Sequence, residues 1–223
     1  MRARPNNAAT LRRRQAIFAL SALGVAPLAR GQAGSGRATP GQTLGPFYPR
    51  HAGERPMQTD ADLIAFDGDR LLSRGVPLYL TGRLYDRRGV PMERAEVEIW
   101  QCDANAVYHH PAGGAEAERD PHFQGYGRAL TEPDGSFHFR TIRPVAYPGR
   151  TPHIHLRIAP RSGGALATQL YLPDEPGNAH DFLFRQLTRD EQAALTLALR
   201  STDSAHPLAQ GTRVTGSIEL RLA

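Results

Sequence analysis

From His153 to Ile158 the chain alternates strictly: His153, His155 and Arg157 are polar, while Ile154, Leu156 and Ile158 are apolar. A period of two marks a β-strand, because successive side chains leave an extended backbone on opposite faces. The pattern predicts one face in a core and, on the other, two imidazoles about 6–7 Å apart along the backbone. Tyr147 stands just ahead of this run, joined to it by Pro148, Gly149, Arg150, Thr151 and Pro152.

Similar runs recur. Residues 76–85, 95–100, 128–131, 136–141, 168–172 and 212–222 read as strands, with turn signals at Asp86–Gly89 and at Pro133-Asp134-Gly135. Thr188 suits the N-cap of a short helix reaching residue 200, with Asp190 and Glu191 in its first turn. Many short strands and one helix predict an all-β chain folded as an antiparallel β-sandwich, residues 76–223. Residues 34–75 are rich in glycine and proline, show little periodicity and read as an extended N-terminal arm.

Composition narrows the chemistry. All 27 basic residues are arginine, so no lysine is available for a Schiff base or a phosphate loop. The single cysteine, Cys102, excludes an internal disulfide and any multi-cysteine zinc or iron–sulfur site. Residues 1–33 combine Arg12, Arg13 and Arg14 with an apolar run from Ala16 to Leu28 and small residues at Gly31 and Ala33. That is the layout of an export signal, resembling the twin-arginine type, and it predicts a periplasmic or extracellular protein. A basic tail ahead of an ordinary helix is the alternative. The segment carries six arginines and no acid, so without it the net charge falls from +5 to about −1. No basic patch then argues for nucleic acid, and no further apolar run is long enough for a membrane span.

The strand pattern alone does not specify chemistry. Gly82–Asp86, Ala95–Ile99 and Thr131–Phe137 resemble segments of transthyretin-like (prealbumin-like) and carboxypeptidase-regulatory-like sandwiches, which serve as non-catalytic binding or spacer modules. The paired histidines point further, since imidazole suits iron, copper, nickel or zinc. Two histidines by themselves leave a zinc hydrolase open, although no carboxylate base lies near them in sequence.

Several separated motifs add to the pair. They are Val97–Tyr108, Asp120–Arg128, Phe139–Tyr147, the His153-Ile154-His155 strand, Thr168–Tyr171, and Thr39–Tyr48 in the arm. Together they resemble the intradiol ring-cleavage dioxygenases, especially the protocatechuate 3,4-dioxygenase group. The resemblance implies a non-haem ferric ion, Fe3+, held by Tyr108, Tyr147, His153 and His155. It further implies that Tyr147 and His155 are axial and that Tyr147 leaves when substrate binds. The implied substrates are dioxygen and a catechol, protocatechuate-like, opened between its two hydroxylated carbons to a cis,cis-muconate.

Charge supports that ligand set. A phenol ordinarily titrates near pH ~10, so a phenolate ligand needs a strongly charged cation beside it. A trivalent ion with two phenolates and a hydroxide is formally neutral. A catecholate dianion replacing the hydroxide and one phenolate preserves that neutrality. By the same resemblance, Arg150 stabilises charge on the bound ring, and Gln169 helps organise the site. Gly45, Pro46 and Tyr48 are candidates for the pocket wall. The Tyr147–His153 loop is shorter than in the best-known members, which leaves substrate choice open. His109 and His110 point apart on an extended segment and are assigned to the surface or rim. Asp103 and Asp134 read as turn residues, Trp100 as a core or pocket-wall aromatic, and Cys102 as a small buried residue. A homo-oligomer is compatible with the family.

Overall fold

The computed structural model describes residues 36–56, 58–64, 73–203 and 212–223. The expected export segment, and residues 65–72 of the expected arm, lie outside them. The strands are β1 (Pro77–Tyr85), β2 (Glu96–Trp100), β3 (Tyr126–Leu130), β4 (Ser136–Ile142), β5 (His153–Ala159), β6 (Leu166–Tyr171), β7 (Ala198–Asp203) and β8 (Thr212–Arg221), with one helix, α1 (Arg189–Leu195). They form two four-stranded sheets, ordered β4-β1-β8-β7 and β3-β2-β5-β6.

The apolar alternation explains how the sheets pack. Leu78, Leu80 and Leu84 of β1 meet Phe137 and Phe139 of β4 and Val214, Ile218 and Leu220 of β8 in one core. The second sheet adds Val97 and Ile99 from β2, Ile154, Leu156 and Ile158 from β5, and Leu170 from β6. Each such aliphatic side chain, fully buried, contributes roughly 1.5–3 kcal/mol. Gly82 is required where β1 passes Phe137: a Cβ there would lie 2.0 Å from the ring.

Two expectations are corrected. β1 and β8 run parallel, with Leu80 opposite Gly216, so the first sheet is mixed rather than antiparallel. The helix ends at Leu195 instead of reaching residue 200, and Ala198–Asp203 pairs with β8 as a strand. Its start is as expected: Thr188 and Glu191 form a reciprocal capping box. Among the described residues no helix is long and apolar enough to cross a membrane.

Candidate metal and active site

The site lies on the face of β3-β2-β5-β6 turned away from the core. Register sets it out: Trp100 stands opposite both Tyr126 and His155, His155 opposite Gln169, and His153 opposite Tyr171. This second face is buried as well, by the loops after β2 and β4 and by residues 39–48. Gln42 N–H donates to the Ala167 carbonyl at 2.7 Å, and Thr168 Oγ1 donates to the Pro40 carbonyl at 2.9 Å.

His153 and His155 are buried, with their Nε2 atoms 3.3 Å apart. His153 Nδ1 lies 2.7 Å from the Thr151 carbonyl, which can only accept, so Nδ1 carries the proton and Nε2 is left with a free lone pair. The indole of Trp100 stacks on His155, 7° from parallel at 4.9 Å between centroids, and fixes that ring's plane. Burial is the main cause lowering both histidine pKa values, to about 4 for His153 and well below the ordinary range for His155. Both rings are therefore neutral at pH 7, the state in which imidazole binds a metal.

Two phenols complete the cluster. The Tyr147 ring stands edge-on to Tyr108 at 5.5 Å and lies 5.4 Å from His153, while Tyr108 is 6.2 Å from His155. Tyr108 is buried, and its hydroxyl makes no hydrogen bond of normal geometry. Burial, reinforced by Tyr147, holds its pKa well above the usual phenol value. Burial raises the Tyr147 pKa too, but the Arg150 guanidinium opposes that rise.

The local sequence explains how Tyr147 and Arg150 meet. Tyr147-Pro148-Gly149-Arg150 is a tight turn, closed by Arg150 N–H donating to the Tyr147 carbonyl at 2.9 Å, with Gly149 at φ 82°. Proline and then a positive-φ glycine in the central positions are the residues that a type II turn selects. Arg150 reaches inward from it and donates from an NH2 group to Gln169 Oε1 at 2.6 Å.

This donor set fits a metal ion. Two nitrogens each about 2.1 Å from one cation, subtending roughly 100°, would be about 3.3 Å apart. That is the spacing found between the two Nε2 atoms. The unpartnered Tyr108 hydroxyl is a buried polar atom that a cation would satisfy. Among the described residues no third histidine, cysteine or carboxylate joins the pair, so the remaining donors are phenols. Anionic phenolate oxygens favour a hard, highly charged ion.

A family model described as "Dioxygenase" matches residues 44–212, and the protocatechuate 3,4-dioxygenase beta chain of Burkholderia cepacia is 35% identical over 171 residues, 69% of this chain and 72% of that one. The chain belongs to the intradiol ring-cleavage dioxygenase family. It is also 30% identical over 159 residues to the hydroxyquinol 1,2-dioxygenase of a Rhizobium species, covering 63% of this chain but only half of that enzyme. Among solved structures, the dioxygenase domain of a carbohydrate-binding fusion protein from Streptomyces sp. SirexAA-E aligns over 83% of this chain and 98% of its own, with TM-score 0.59 and 31% identity. Catechol 1,2-dioxygenase from Acinetobacter sp. ADP1 shares the fold, with TM-score 0.61 and 23% identity over 83% of this chain and 62% of its own.

Within this dioxygenase fold, Tyr108, Tyr147, His153, His155, Arg150 and Gln169 come together. The arm residues divide. Gly45, at φ 72°, packs against His155, where a Cβ would come within 3.0 Å of Cε1. Tyr48 leans on Trp100 at 4.8 Å and donates its hydroxyl to Glu98 Oε2 at 3.0 Å. Pro46 is exposed. Phe47, which sequence reasoning passed over, stacks on Tyr108 at 4.2 Å.

His109 is partly buried, as at a rim, while His110 is buried rather than at the surface. His109 Nε2 lies 3.3 Å from the buried Asp103 carboxylate, and His110 is buried with Nε2 3.7 Å from Glu54. They diverge as expected, and the turn between Asp103 and Gly113 folds both inward. Asp103 is a turn residue, accepting from Asn105 N–H and Val107 N–H. Cys102 is buried as expected, and burial pushes its thiol pKa up to about 12.

Two further residues escaped the sequence. Glu98, wholly buried, accepts hydrogen bonds from the hydroxyls of Tyr48 and Tyr126, and pairs with Arg157 at 2.6 Å and Arg55 at 3.6 Å. Asp181, also buried, accepts from Arg150 Nε at 2.7 Å. The available signal was general: an arginine drawn inward needs a carboxylate. Neither partner is close in sequence.

Proposed function

We propose that this chain is a non-haem Fe(III) intradiol dioxygenase that inserts both atoms of O2 into a catechol, protocatechuate-like. The ring opens between its hydroxylated carbons to a cis,cis-muconate. The observation that carries the reading is the convergence of two neutral imidazoles, Nε2 to Nε2 at 3.3 Å, with the buried Tyr108 and the partly buried Tyr147, and, among the described residues, no third histidine, cysteine or carboxylate beside them. Tyr108, Tyr147, His153 and His155 would hold the ion. When bound, ferric iron supplies an electron-poor centre that chelates the diol and opens its ring to dioxygen.

The remaining work falls to the chain. A diol must lose two protons to chelate, and Tyr147 Oη is the natural acceptor for one, being the less buried phenol. Arg150 cannot lose its own proton and offers a fixed positive charge to the ring as negative charge builds there. Gln169 holds the guanidinium in place at 2.6 Å. Thr151 fixes the His153 tautomer and Trp100 the plane of His155. Residues 39–48 and Phe47 shield this face from water.

The test is oxygen uptake by purified protein across a catechol panel, alongside iron content, visible absorption and the ultraviolet band of a muconate. Iron-replete coloured protein that consumes one O2 per ring opened is the outcome expected. Colourless, iron-free protein without uptake would leave the non-catalytic binding module. Zinc content with hydrolytic activity would favour the hydrolase. We further propose export directed by residues 1–33; fractionation of cells expressing the full chain and a variant with Arg12, Arg13 and Arg14 changed to glutamine tests it.

A further inference from the structure

Asp181 follows the short 3-10 turn Pro176–Ala179, and its carboxylate is fully shielded from solvent. It collects four donors. Oδ2 accepts from Arg150 Nε at 2.7 Å and Thr151 N–H at 3.0 Å; Oδ1 accepts from Leu183 N–H at 3.0 Å and Phe184 N–H at 2.9 Å. The two backbone bonds on Oδ1 anchor the carboxylate to its own loop. Oδ2 is thereby presented to Arg150 and Thr151 at a fixed place.

Both of those groups lead into the site. Arg150 uses Nε on Asp181 and NH2 on Gln169, so its planar fork is held at two points and its orientation is set. Thr151 is pinned at its N–H by Asp181, while its carbonyl takes the proton of His153 Nδ1 at 2.7 Å. The Thr151 hydroxyl is tied to Asn178 Oδ1 at 2.9 Å, so the same 176–184 segment grips this residue twice. Burial works against an ionised Asp181, yet Arg150 and the backbone N–H groups outweigh it and lower its pKa.

We infer that Asp181 is a positioning residue: one carboxylate places the guanidinium of Arg150 and, through Thr151, the imidazole of His153. The inference rests on the proposed dioxygenase function, which gives Arg150 and His153 their tasks. Groups behind a metal-facing histidine or a charge-stabilising arginine commonly change affinity or activity about 10–100-fold when removed. Asp181 stands behind both at once. Replacing it by asparagine would set an NH2 or a neutral oxygen against Arg150 Nε and leave a buried guanidinium without its counter-charge.

The experiment is a double-mutant cycle on kcat/KM for catechol with iron-loaded wild type, Asp181→Asn, Arg150→Gln and the double variant, with bound iron measured in each. Asp181→Asn should lose about 30-fold and retain less iron through dialysis against chelator. In the Arg150→Gln background the same change should cost several-fold less than in wild type, because one of the two groups it positions is gone, while the loss of iron through Thr151 and His153 persists. Losses that multiply across the cycle, in variants with the wild-type iron content and melting temperature, would overturn the inference. Should Asp181→Asn fail to fold, Arg150→Lys and Asp181→Glu repeat the cycle with charge conserved. Positioning then predicts that neither restores activity, and full activity in both overturns it. Wild type that turns over no catechol sinks the proposed function instead, a result distinct from additive losses in an active enzyme.

Discussion

The two faces of the β3-β2-β5-β6 sheet are both largely covered and are built on opposite principles. Towards the core stand Val97, Ile99, Ile154, Leu156, Ile158 and Leu170, which gain from burial without regard to direction. On the other face the same strands carry Glu98, Trp100, His153, His155, Arg157 and Gln169, where every polar atom hidden from water needs a partner. Glu98 finds two phenols and two guanidiniums, and Gln169 finds Arg150. Among the described residues, the Tyr108 hydroxyl, Trp100 Nε1 and His155 Nδ1 make no hydrogen bond of normal geometry. The inner face therefore serves stability, and the outer face carries the polar groups on which the proposed chemistry depends. Mutations should separate the two.

The largest effect is expected at Tyr108. Tyr108→Phe removes one oxygen from the outer face and should reduce kcat/KM for a catechol about 1,000-fold, roughly 4 kcal/mol, while bleaching or shifting the visible band. Thermal stability should hold or rise, because a buried unpartnered hydroxyl disappears. Unchanged turnover would remove Tyr108 from the site. The opposite pattern is expected on the inner face. Leu156→Ala should destabilise by roughly 3 kcal/mol in urea titrations, with the folded fraction still active. If Leu156→Ala silenced a fully folded protein, the division of labour between the faces would fail.

Acid should expose the outer face as the less stable one. The His153 pKa is lowered to about 4 by burial and by Arg150, and His155 shifts the same way. An unfolded histidine takes up its proton near ~6.5. Between these values the unfolded chain binds more protons than the folded one, so stability falls as pH drops. Iron-free protein should be indifferent to the histidine pair above pH 6.5 and lose up to about 3 kcal/mol through His153 by pH 4, with His155 acting in the same direction. Urea midpoints at pH 7, 5.5 and 4.5 would check this; a flat profile that His153→Gln leaves unaltered would show the pair to be solvated.

What the sequence disclosed follows the same division. Strict alternation marked β5 and both its faces, since period two is a local property of the chain. Local chemistry also disclosed the Thr188 capping box and the turn at Asp134, which accepts from Ser136 N–H. The parallel β1–β8 pairing was hidden because it joins segments more than 120 residues apart. The expected helix overran into Ala198–Arg200, the start of β7, although Leu197 and Leu199 alternate and pack towards the core. Glu98 and Asp181 were invisible for a different reason. A buried charge is chosen to suit its partners, and those lie 59 and 31 residues away in Arg157 and Arg150.

Glu98 offers a milder test of the outer face. Glu98→Gln keeps the shape but strips the counter-charge from Arg157 and Arg55, whose side chains are 27% and 35% exposed. Water can partly compensate guanidiniums that accessible, so the expected loss is roughly 2 kcal/mol rather than the larger cost of an isolated buried charge. Because Tyr48 and Arg55 both belong to the segment preceding β1, that segment should also become easier to cleave by protease. Wild-type stability together with wild-type proteolysis would mean that Glu98 does not hold it.

The smallest effect is expected at Gly45, where the segment ahead of β1 meets His155. Its φ of 72° suits glycine, and an added Cβ would sit 3.0 Å from Cε1 of His155, a ring already fixed by the Trp100 stack. Gly45→Ala should cost about 1–2 kcal/mol of stability through backbone strain. Its effect on function should appear chiefly as a few-fold rise in KM, since pushing residues 44–48 outward disturbs the wall before it disturbs the imidazoles. A loss confined to kcat, with KM unchanged, would instead place the strain on His155 itself. That result would show that the face opposite the core transmits a small displacement directly to the imidazole it packs against.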